Sequence, residues 1–119
     1  YMESAELKRP VDIILQNRLH VKPEQIAAVC EYFNIAELGL FGSVLRDDFR
    51  TDGDNPSDVD ILIELEPGYQ LSWQIWLDFK AALEELFKRD VDVVRKHLLK
   101  NPYRRAEILK TNCIVYEQR

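Results

Sequence analysis

Phe41-Gly42-Ser43-Val44-Leu45-Arg46, a polar loop, then Ser57-Asp58-Val59-Asp60-Ile61-Leu62-Ile63: this stretch decides the fold. The apolar run from Ile35 to Phe41 reads as a strand over 36–41 that stops at Gly42. Ser43 to about Phe49 reads as a short helix begun at the strand's end. Arg50-Thr51-Asp52-Gly53-Asp54-Asn55-Pro56-Ser57 consists of turn formers throughout and reads as a loop, with Asp52 and Asp54 as solvated carboxylates. From Val59 to Leu65 the pattern alternates. Asp58, Asp60, Leu62 and Glu64 fall on one face of a strand, and Val59, Ile61, Ile63 and Leu65 on the other. Pro67-Gly68 ends it.

Outward from this stretch, helices and strands take turns. Leu7, Val11, Ile14, Leu15 and Leu19 have near-helical spacing interrupted by Pro10, which marks the start of a helix, where a missing N–H costs least. Val21-Lys22-Pro23-Glu24 is a second helix start. Ile26, Val29, Cys30 and Phe33 then trace one buried face, with Cys30 as a small core residue. A long helix is predicted from about Ser72 to Lys88, with Ile75, Phe79, Leu83, Leu86 and Phe87 inward. Trp73 and Trp76 lie partly off that stripe, as packing residues or as an aromatic patch for a partner. Asp90-Val91-Asp92-Val93-Val94 is a further strand, Tyr103 to Lys110 a helix, and Cys113-Ile114-Val115-Tyr116 a last short strand or extended tail. This order predicts an α/β (α+β) fold, a small mixed β-sheet with helices packed on it. One domain over residues 1–119 is expected, with residues 1–20 as an N-terminal helical extension and Tyr1 as a tag remnant.

Composition narrows the function. The net charge of −5 argues against broad nucleic-acid binding, which needs a basic face. The modest basic run Lys96, Lys100, Arg104 and Arg105 reads as a solvated face. His20 and His97 have nothing spaced to orient them as bases. Cys30 and Cys113 have no motif spacing, so reduced thiols in a cytoplasmic protein are expected. No run reaches the roughly 18 apolar residues of a membrane span.

The chemistry lies in the opening stretch. Gly42 lets a phosphate approach the backbone, a helix start behind it offers unpaired N–H groups, and the Ser43 hydroxyl can bond a phosphate oxygen. Alone, such a pair is often only a helix cap. Asp58 and Asp60 point the same way from one strand and repel each other unless a cation lies between them. Their carboxylates suit Mg²⁺, with phosphates and water completing its shell. An exposed polar edge strand would carry the same spacing. A third acid lies on the strand around Val91 and Val93. Periodicity alone leaves Asp90 and Asp92 equivalent there.

Taken together, Gly42-Ser43-Val44-Leu45-Arg46, Ser57-Asp58-Val59-Asp60-Ile61 and Val91-Asp92-Val93 resemble the signature of the polymerase-β-type nucleotidyltransferase superfamily. In size and element order the chain is similar to its minimal (MNT) branch over about residues 20–117. The resemblance implies a polymerase-β-like fold, with Gly42, Ser43 and Arg46 at the nucleotide. It implies Asp58, Asp60 and Asp92 as catalytic metal ligands for two Mg²⁺ ions, because the family's third acid sits between hydrophobic residues. It implies ATP as substrate and a HEPN-type helical toxin as partner, with AMP moved to a tyrosine of that toxin. Asp47 stands where the branch often has glycine, and the loop to Asp58 is a few residues longer. The other reading is a non-catalytic antitoxin or scaffold that binds its partner through Trp73, Trp76 and the Tyr116 region. Transfer to a small molecule is a third, which the missing substrate domain counts against.

Overall fold

The computed structural model describes residues 9–46, 49–50 and 57–118. Helix α1, Pro10–Ile14, starts at its proline and runs on into a π-helical segment, Leu15–Leu19. Helix α2 is Pro23–Tyr32, and strand β1 is Ile35–Phe41. Strand β2 is Val59–Leu65, as the alternation predicts. Helix α3, Trp73–Phe87, is capped by the Ser72 hydroxyl, which accepts the Ile75 N–H at 3.3 Å, and ends at Lys88 in the left-handed region. Strand β3 is Val91–Arg95, helix α4 Pro102–Thr111 and strand β4 Cys113–Glu117. Asn101 caps α4 by accepting the Tyr103 and Arg104 N–H groups.

The four strands form one mixed sheet in the order β3-β2-β1-β4. β1 is antiparallel to both β2 and β4, whereas β2 and β3 are parallel and joined through α3. Both faces are covered. On one, Leu38, Leu40, Val59, Ile61, Ile63, Val91 and Val115 pack against Leu15, Leu19, Ile26, Cys30, Phe79, Leu83 and Phe87. Phe79 is fully buried and meets Phe33 edge-on at 5.4 Å; such a side chain contributes about 2–3 kcal/mol. Cys30 is fully buried too, and burial pushes its thiol up to about 12, as befits a core residue. On the other face Phe41 and Leu62 pack under Leu99 and Ile108, so the face that carries Asp60 is closed over Leu62 by the chain leading into α4.

Two expectations are corrected. The helix predicted from Ser43 to about Phe49 is a single 3-10 turn, Gly42–Leu45, because Arg46 is already extended (φ −110°, ψ 163°). Ile75 is exposed rather than inward, and Trp76 packs against the core in its place. In α4 the buried residue is Ile108. Leu7, Asp47, Asp52 and Asp54 lie outside the described residues.

β1 and β4 approach closely at Gly39. A Cβ there would stand 2.6 Å from Asn112 Oδ1 and 3.3 Å from the Cys113 carbonyl oxygen. Asn112 cannot easily move, since its Nδ2 donates to the Ile108 and Leu109 carbonyls at 3.1 Å each. Gly39→Ala should therefore destabilise the fold by about 1–3 kcal/mol in chemical denaturation.

Candidate active site

The strand pairing gathers the site. Phe41 lies opposite Asp60 across β1 and β2, and Asp60 lies opposite Asp92 across β2 and β3. Because β2 and β3 are parallel, Asp58, Asp60 and Asp92 all fall at the same end of the sheet. The ladder begins there, with the Val59 N–H donating to the Asp90 carbonyl oxygen at 3.0 Å. α3 ties in the same corner through Glu84, whose carboxylate accepts the Val91 N–H at 3.2 Å.

Asp60 is the centre of the cluster. It is half-buried, while Asp58 and Asp92 are exposed. Burial pushes its carboxyl above the ordinary carboxylate range, and the charges of Asp92 and Asp58 push it further the same way. The Arg46 charge and a hydrogen bond from the Ser43 backbone N–H pull it back. Asp90 is not among the groups acting on Asp60, which separates the two acids that periodicity left equivalent: Asp92 is the one in the cluster.

Gly42 makes room for this carboxylate. Its φ is +76°, and a Cβ on it would stand 2.3 Å from Asp60 Oδ2. Only glycine meets both conditions. The turn that follows is too short to carry a helix dipole, so the expected cradle differs from the one observed. Its Ser43 N–H holds the Asp60 carboxylate, and the exposed charge beside it is Arg46.

Two arginines outside the predicted set support these residues. Arg89 donates from Nη1 to the Arg50 and Ser57 carbonyl oxygens, at 3.0 and 3.2 Å, and lies 4.9 Å over the Phe49 ring. Arg50 and Ser57 also bond each other, N–H to hydroxyl at 2.9 Å and N–H to carbonyl at 3.0 Å. The neck of the polar loop is thus tied immediately before Asp58, and Ser57 is buried there. Arg18 reaches the Gly-Ser turn from the π-helical segment. Neither contact has a sequence signal, because both arginines bond main-chain carbonyls, which every residue possesses.

The donor set is all oxygen and anionic, which is what a hard divalent cation takes. Among the described residues, no three acid, thiol or imidazole groups are drawn together as a closed metal site. The charges of Asp92 and Asp58 both act on Asp60. The raised carboxyl of Asp60 reflects its burial first and the charges of Asp92 and Asp58 second, with Arg46 acting against both.

A mixed four-stranded sheet with helices packed on it, carrying a Gly-Ser turn and strand-borne acids at one end, is the fold of a nucleotidyltransferase. The family model described as "Polymerase beta, Nucleotidyltransferase" matches residues 24–119, and the chain belongs to that family. Among solved structures it is similar to a putative minimal nucleotidyltransferase, at 27% identity and a TM-score of 0.59, over 76% of this chain and 86% of that one. Two further neighbours share the fold. One is a mutant of the MntA-HpeT toxin-antitoxin pair (TM-score 0.61, 13% identity, 83% of this chain and 75% of that one). The other is a toxin-antitoxin structure with AMP-PNP (TM-score 0.60, 14% identity, 83% and 76%). No curated protein matches the chain. Among the described residues, no helix is long and apolar enough to cross a membrane.

Proposed function

We propose that this protein is a Mg²⁺-dependent nucleotidyltransferase that moves AMP from ATP to a hydroxyl of a partner protein. The partner is a helical HEPN-type toxin, the acceptor one of its tyrosines, and this chain is the antitoxin. The observation that carries the reading is Asp60, seated against Gly42, bonded by the Ser43 N–H, and flanked by Asp58, Asp92 and the Arg46 charge. The neighbours that are toxin-antitoxin structures, one of them with AMP-PNP, support the choice of nucleotide and partner.

In the reaction the acceptor oxygen attacks the α-phosphorus of ATP. A new P–O bond forms, the bond to the bridging oxygen of the β-phosphate breaks, and pyrophosphate leaves with that electron pair. Asp58, Asp60 and Asp92 would hold Mg²⁺, which when bound neutralises the phosphates and the leaving pyrophosphate. Asp92, exposed at the edge of the cluster, takes the acceptor's proton. Gly42 and Ser43 position the triphosphate, and Arg46 offsets its charge. Most of the rate gain on this reading is positioning and electrostatics.

The test is incubation with Mg²⁺, α-labelled ATP and the partner toxin. Label should pass to the partner, and Asp58→Ala should lower the rate by about 10²–10³-fold or more. Equal labelling by that variant sinks the reading. Trp73, which is 73% exposed, favours a second one, in which neutralisation is by binding alone. On that reading an Asp58/Asp60 double alanine variant still protects against the toxin.

A further inference from the structure

The Gly-Ser turn is not closed by its own residues alone. Arg18 lies on the segment Leu15–Leu19, ahead of the residues that the family model matches. Its Nη1 donates to the Val44 carbonyl oxygen at 2.8 Å and also to the Arg46 carbonyl oxygen. Those carbonyls flank Leu45 at the C-terminal end of the turn. The Arg46 N–H closes the same residues by donating to the Ser43 carbonyl oxygen at 2.9 Å. The last carbonyls of a helical turn have no partner within it, and a guanidinium satisfies them with charge-assisted bonds. The mount is firm, because Leu15 and Leu19 on either side of Arg18 are buried in the core. The mount is also unusual. π-helical turns are rare and occur often at functional sites.

We propose that Arg18 is a positioning residue for the nucleotide-binding turn. By holding the Val44 and Arg46 carbonyls it sets two directions. One is the line along which the Ser43 N–H meets Asp60, and the other is the direction in which the Arg46 side chain leaves toward the carboxylates. Arg18 touches no reacting atom and acts through the turn. The proposal rests on the nucleotidyltransferase reading above for its consequence, and on the hydrogen bonds alone for its geometry.

The test uses the full chain with Arg18→Leu and Arg18→Lys. Amide hydrogen exchange at Ser43 and Arg46 is followed by NMR without nucleotide, beside the core amides of Ile61 and Leu83. In Arg18→Leu the two turn amides should exchange about tenfold or more faster, with the core amides unchanged. Arg18→Lys keeps a cationic donor on a shorter stem and should fall between that variant and wild type. AMP-PNP should bind Arg18→Leu about tenfold more weakly, or about 1.4 kcal/mol, and KM for ATP should rise by more than kcat falls. Unchanged exchange at Ser43 and Arg46 overturns the proposal, and so does an equal rise at Ile61 and Leu83. If Arg18→Leu does not fold, Arg18→Lys decides alone: faster turn amides over an unchanged core support the proposal, and unchanged turn amides overturn it. A wild-type protein that does not bind AMP-PNP would remove the nucleotidyltransferase reading and leave the exchange result to judge Arg18.

Discussion

Asp60→Asn should abolish nucleotidyl transfer and raise the melting temperature of the same molecule. The two effects share one cause. Asp60 is half-buried between the charges of Asp92 and Asp58, and its carboxyl is raised by burial first and by those charges second. A carboxyl whose folded pKa lies above its unfolded one binds its proton more tightly in the native state. Stability therefore falls as pH rises from the ordinary carboxylate range through the raised value, and the loss is complete above it. At any pH above that raised value the wild type carries the whole of that cost. Asparagine carries none, and its amide oxygen still accepts the Ser43 N–H. Transfer should fall by about 10²–10³-fold or more, because a neutral amide holds Mg²⁺ less well than the carboxylate it replaces. Thermal melts at pH 7.5 check the first half, and labelled ATP the second. Millimolar Mg²⁺ should raise the wild-type melting temperature and leave that of the variant nearly unchanged. A variant that melts below wild type would mean that Asp60 is a net stabiliser and that the crowding of charge has been overstated.

Gly42→Ala should be almost as damaging to activity by a steric route. The new methyl would stand 2.3 Å from Asp60 Oδ2 and 3.2 Å from its Cγ, on a backbone with φ +76°. The left-handed backbone costs about 1–3 kcal/mol for a residue with a side chain, and the carboxylate must swing away as well. A displacement of about 1 Å at a reacting centre can cost about 100-fold, so kcat should fall by about that factor. The double variant separates the terms. In an Asp60→Ala background the clash is gone and only the backbone strain remains. Gly42→Ala should then cost less, with a coupling of roughly 0.5–3 kcal/mol in chemical denaturation. Simple additivity would place the whole effect in the backbone.

Much of this was legible in the sequence because the signals were local. Alternation placed β2 at Val59–Leu65, and Pro10 and Pro23 opened their helices where proline costs least. The Gly-Ser pair and the acids could be read because each carries chemistry in its own side chain. What escaped was set by distant parts of the chain. The turn after Gly42 stops at Arg46, whose carbonyl is held by Arg18, a residue far upstream. Arg18 and Arg89 were invisible because their partners are peptide carbonyls, identical at every position. Ile75 and Trp76 exchanged places because Trp76 found the guanidinium of Arg95 at 4.3 Å from its ring, a contact across two elements that helical periodicity does not contain. Periodicity left Asp92 and Asp90 equivalent, and it took the pairing of β3 on β2, which sets Asp92 beside Asp60, to separate them.

The parallel pairing of β2 with β3 also sets the order in which the molecule can become competent. Residues 66–90 separate the two strands, so β2 leaves the ribosome well before its neighbour exists. Until then its outer edge is open and carries two repelling anions at one end, a poor template for stray strands. Completion waits for a contact between distant parts of the chain, the slow kind in folding. A chain cut within residues 66–90 keeps the Gly-Ser turn and Asp58-Val59-Asp60 and still lacks a third acid. On the proposed function, synthesis itself thus withholds activity until β3 is laid down beside β2.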